Sequence, residues 1–132
     1  MFDIEKNKTD RTGFEEGKWF DFQEGVQVKI AATRSKRAAA LYAKLGRDKN
    51  LKEMQDEKEM EKIVIQVYAE AIIVDWKGFV KNGKPLPCTP ENVKYVLENS
   101  LEFYQFVTAV TNDVKNFRVE KVEAEKKSSK NS

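Results

Sequence analysis

The segment Ala71–Asn92, AIIVDWKGFVKNGKPLPCTPEN, restricts the backbone more than any other part of the chain. Pro85 and Pro87 bias Lys84 and Leu86 toward extended geometry, so this stretch is stiff and non-helical. Asn82-Gly83 is a strong reverse-turn dipeptide, and Phe79-Val80 ahead of it makes a short extended piece. Gly78 supplies a residue able to take positive φ where a helix commonly stops. Thr89-Pro90-Glu91-Asn92 reads as a helix start, with Thr89 as N-cap, Pro90 at the first helical position and Glu91 at the positive end of the dipole. The segment is a connector between two helices, and its residue types serve geometry rather than bond chemistry.

Periodicity supplies the elements on either side. Ile63, Val64, Val67, Ala71 and Val74, widened by Tyr68, Ile72 and Ile73, form an apolar stripe that predicts a helix over Ile63–Trp76. Val93, Val96 and Leu97 give the next helix its face, up to Asn99-Ser100. Leu101, Phe103, Tyr104, Phe106, Val107, Val110, Val114 and Phe117 predict a final helix from Leu101 to Phe117, with Val122 as its farthest limit. Upstream, Trp19–Phe22 and the alternating run Val26–Ile30 flank Gln23-Glu24-Gly25 and read as a β-hairpin. Thr33 or Ser35 caps a helix through Ala38–Leu45 that Gly46 ends. Residues 47–62 are nearly all polar and form either a solvated helical extension or a mobile insertion. The expected fold is mainly α with an N-terminal β-hairpin (α+β), a small domain of about four helices packed on a two-stranded hairpin. Residues 1–13 are expected to be a flexible N-terminus, 14–122 a single domain, and 123–132 a disordered polar tail.

Composition bounds the chemistry. The 132 residues suffice for one domain with a modest core. Their 24 basic and 22 acidic side chains leave a charge of +2, which does not call for a polyanionic partner. Histidine is absent, which removes Ser–His and Cys–His catalysis and histidine-bearing zinc sites. Cys88 is the single cysteine, so no internal disulfide forms and a reducing compartment is expected. No apolar run approaches the roughly twenty residues that span a bilayer, and the N-terminus lacks a secretory core, so a soluble cytoplasmic protein is expected.

The chemistry-bearing motifs are weak. Glu15-Glu16, Glu70 with Asp75, and Glu57 with Glu61 are carboxylate pairs expected on the solvated faces of a chain that is 35% charged. Gly13, Gly17, Gly25 and Gly83-Lys84 lack the frame of a phosphate loop. Arg34, Lys36, Arg37, Lys44, Arg47 and Lys49 could touch phosphates, with Trp19, Phe20 and Tyr42 as stacking groups, or form a solvated helix face beside core aromatics. Cys88, between prolines and without a base, reads as a packed side chain. No catalytic residue, cofactor or metal is expected. The stripe Tyr104, Phe106, Val107, Val110 and Phe117 is core or, where exposed, a partner or self-association surface.

Taken together, the hairpin, the run Val74-Asp75-Trp76-Lys77-Gly78, the connector Asn82–Asn92 and the late pair Asn116-Phe117 resemble the tail assembly chaperones of long-tailed (siphovirus-type) bacteriophages. The likeness covers roughly residues 14–117, and the residues that carry its motif are Asp75, Trp76, Gly78, Gly83, Pro85, Pro87, Thr89, Glu91, Asn92, Asn116 and Phe117. The resemblance implies a small, non-enzymatic, mainly helical protein of the infected host's cytoplasm, absent from the mature virion. Its implied partners are the tape measure protein and tail tube subunits, with self-association open. Leu101, Tyr104, Phe106, Val107 and Val110, or the hairpin face, are the expected client-binding residues. A nucleic-acid-binding protein or a structural head–tail adaptor is the alternative, and no membrane partner is expected.

Overall fold

The computed structural model describes residues 1–119. Its helices are α1 (Arg11–Glu16), α2 (Lys36–Arg47), α3 (Leu51–Met54), α4 (Glu57–Val67), α5 (Pro90–Asn99) and α6 (Leu101–Asn112). Strands β1 (Lys18–Gln23), β2 (Val26–Ile30) and β3 (Ile73–Lys77) form one antiparallel sheet in that order. A second, two-stranded piece pairs β4 (Val80–Lys81) with β5 (Lys84–Pro85). The domain is α+β and mainly helical, as expected.

The expected hairpin is present, and β1 alternates as its sequence does: Phe20 and Phe22 turn inward while Trp19, Asp21 and Gln23 are exposed. It is not two-stranded, however. The helix expected over Ile63–Trp76 ends at Val67, widens into a π turn over Tyr68–Ile72, and then becomes β3. The reason is local as well as tertiary. Ile72-Ile73-Val74 is a β-branched run that suits a pleated strand better than a helix. In the strand, Ile73 pairs with Ile30 and Trp76 with Val28, so both bury their side chains against β2. Gly78 accordingly ends a strand rather than a helix, and its φ of 86° meets the hairpin turn so closely that a Cβ there would collide with the Gly25 carbonyl oxygen.

Caps set the helix boundaries. Ser35, fully buried, accepts from the Ala38 amide and starts α2, which runs through Gly46 to Arg47. Residues 47–62 are mostly helical, with breaks at 48–50 and 55–56: Asn50 and Glu53 form a capping box for α3, and Asp56 caps α4. Lys49 bridges Glu53 and Glu59 across the break, and Glu59 also holds Lys62. Asp113 stops α6 five residues before the expected Phe117: its backbone is extended, and its carboxylate accepts from the Lys115 amide to open a 3₁₀ turn over Val114–Phe117. Continuation to Val122 and the tail at 123–132 lie outside the described residues.

Residues 1–13, expected to be loose, are in part tied down. Asp10 caps α1, its amide donates to the Phe117 carbonyl at 2.7 Å, and the Val119 amide donates to the Lys8 carbonyl at 2.9 Å. Thr9 and Arg118 form an antiparallel bridge there. The core between sheet and helices is built on Val28, Ile30, Val67, Ile72, Val93, Phe103, Val107 and Phe117, all essentially without solvent contact.

Candidate interaction surface

The connector residues hold one another in place. Trp76 is buried, stacks on Phe79 with centroids 4.1 Å apart, and donates its indole N–H to the Leu86 carbonyl at 2.7 Å. Asp75 is exposed, and its carboxylate accepts from the Trp76 amide at 2.8 Å. Asn82 and Gly83, with φ of 53° and 78°, turn β4 into β5, which ends at Pro85. Thr89 accepts from the Asn92 amide at 3.2 Å, while the Asn92 side chain donates to the Pro87 carbonyl at 2.9 Å. Glu91 lies exposed in the first turn of α5. Asn116 donates to the Val110 carbonyl at 3.0 Å, and Phe117 receives Phe14 and Phe20 edge-on at 5.9 and 6.0 Å.

The five expected client-binding residues do not share one open face. Val107 is fully buried, and Phe106 packs on Phe22 with ring centroids 4.9 Å apart. Tyr104 lies 5.8 Å from the ring of Tyr68, whose hydroxyl shares a hydrogen bond with Thr108, and burial pushes the Tyr104 hydroxyl above its ordinary pKa. Val110 packs against the core, and only Leu101, 68% exposed, stands out. Phe103 and Phe106 of α6 are instead part of a continuous packed group with Phe22, Trp76 and Phe79.

The ionisable groups are dispersed. Glu16, Glu57, Glu61, Glu70 and Asp75 are exposed, and Glu15 accepts from the Lys36 amide at 2.8 Å. Among the described residues no group of three or more acidic or cysteine side chains is placed to hold a metal ion. Cys88 is half-buried, and burial, reinforced by the Asp75 charge, pushes its thiol up to about 11, so the thiol keeps its proton at neutral pH.

Two exposed surfaces carry side chains that the sequence offered for phosphate or partner contact. The outer face of the sheet presents Trp19, with the Lys77 ammonium 4.2 Å from its ring centroid, beside Gln27 and Asp21, which share a hydrogen bond. The outer face of α2 presents Lys36, Arg37, Ala40, Ala43, Lys44 and Arg47, with Arg34 just ahead. An open groove of about 340 Å³ runs along this face, lined by Arg37, Ala40, Leu41, Lys44, Glu70 and Ala71. The Arg37 guanidinium donates to the Glu70 carbonyl at 2.8 Å, which anchors α2 to the π turn. The charges of this surface were visible in the sequence, but Lys49 is drawn off by its glutamates. Phe20 and Tyr42 face the core rather than this surface. Glu70 and Ala71 were missed, because only the π turn brings them beside α2.

A family model described as YdaY prophage protein matches residues 26–128, which is 103 of the 132 residues and includes the hairpin's second strand, the α2 groove and the whole connector. No curated protein and no solved structure matches the chain. The chain belongs to the YdaY prophage protein family and is of phage origin.

Proposed function

We propose, with phage origin as the premise, that the protein is a tail assembly chaperone, binding the tape measure protein and tail tube subunits during tail polymerisation. The observation that carries this reading is the connector. The residues by which the chain resembles such chaperones, Asp75–Gly78 and Gly83–Asn92, lie inside the family match and lock β3 to α5 through the Trp76–Leu86 and Asn92–Pro87 hydrogen bonds. A tape measure protein is a long helical chain whose apolar stripes would associate if left bare. Small helical domains that cover those stripes supply charged surface in exchange. Many copies spaced along one client make the coat persistent as a whole, while each weak contact yields to arriving tube subunits. The protein acts in the cytoplasm of the infected host without making or breaking covalent bonds, and it leaves before the virion matures.

Co-expression with the tape measure protein of the same phage, followed by affinity capture, tests the reading. A soluble complex is expected, together with absence of this chain from purified particles. A tape measure protein that stays insoluble and uncaptured would count against it. Capture of the chain within finished virions would instead favour a structural adaptor.

A further inference from the structure

We infer that the groove between α2 and the π turn docks an acidic amphipathic helix of the client, a deepening that rests on the chaperone reading only for the client's name. Five basic side chains and no acidic one occur between Thr33 and Arg47 in a chain otherwise close to charge balance. All five are exposed, and none has an ion pair within the described residues. This charge, which Glu70 alone offsets among the groove residues, borders an apolar floor of Ala40, Leu41 and Ala71. Small floor residues let a second helix approach α2 to an interaxial distance of about 8 Å. The 12 residues of α2 offer a track about 18 Å long, roughly three turns of a partner. Arg37 is held in place by the Glu70 carbonyl, and its exposed guanidinium has further N–H donors with which to grip a carboxylate. Nucleic acid suits the groove less well. Phosphates would gain from the cations but nothing from the alanine and leucine floor.

The test uses the full chain and a labelled peptide of about 18 residues, long enough to hold a helix, with Leu and Ala on one face and Glu on the other. Fluorescence anisotropy is compared for the wild type and for A40E/K44E, which places two carboxylates on an exposed helix face without touching the core. A circular dichroism melt confirms that the variant is folded. Binding that weakens at least tenfold in A40E/K44E, and that falls with added salt, is expected. Peptide binding that the variant leaves unchanged would overturn the proposal, as would a wild type that ignores the peptide but grips a mixed-sequence DNA duplex of equal charge through these cations. The same pair of proteins is then used for tape measure capture. Client lost by A40E/K44E and kept by the wild type supports the groove. Client kept by both rejects the groove and leaves the chaperone reading intact. Client held by neither removes the chaperone reading, and the peptide result alone then decides the groove.

Discussion

Replacing Trp76 with alanine would empty a buried site between Phe79 and Phe103 and strand the Leu86 carbonyl, so a loss of about 3–5 kcal/mol is expected in urea unfolding. Trp76→Phe keeps the ring and loses the indole donor, and should cost less, about 1–3 kcal/mol. The comparison separates stacking from the hydrogen bond; equal losses would mean that the ring's stacking contributes nothing beyond the bond. Cys88 offers a pH-dependent counterpart. Its folded thiol titrates near 11 against an ordinary value of 9.0, so between those values the folded state binds more protons than the unfolded one. The thiol's contribution to stability is therefore intact below about pH 9 and lost as pH rises through the folded value. Cys88→Ser should flatten the stability curve in that window, and alkylation of the native thiol at pH 8 should be slow beside a free cysteine.

Among the elements, β3 taught the most about what the sequence could say. Capping chemistry was legible because it is local: Thr89, Pro90 and the Asn82-Gly83 turn each declare themselves within four residues. Thr89→Ala should cost about 1 kcal/mol, read from the unfolding midpoint, with no change in helix content after refolding. Ile72–Trp76 was not legible in the same way. Its apolar spacing satisfied a helix, and the competing strand depends on β2, more than forty residues earlier in the chain. The aromatic stripe of α6 was read correctly as apolar, but periodicity could not say how much of it the sheet would consume. Phe22 reaches it from β1 and Phe79 from the turn between β3 and β4, and no window along α6 contains them. The same limit hid half of the groove. Arg37 and Lys44 announced a charged face, whereas Glu70 and Ala71 arrive there only because the π turn folds across α2.

At the scale of the molecule, Phe117 gathers Phe14 from α1 and Phe20 from β1 around one fully buried ring, next to the Thr9–Arg118 bridge. Phe117→Ala should therefore cost about 3–5 kcal/mol and also raise hydrogen exchange in residues 8–16, an effect that Val114→Ala, at an exposed site, should not produce. Protection unchanged in that segment would show that α1 is anchored without the ring. The bridge has a further consequence for where probes can be placed on this chain. Because Val119 is laced to Lys8, positions 8 and 119 lie at the same pole of the body. Labels at positions 8 and 119 would sit close enough for efficient energy transfer, and spreading of that pair on heating would report the parting of these two segments as an event of its own.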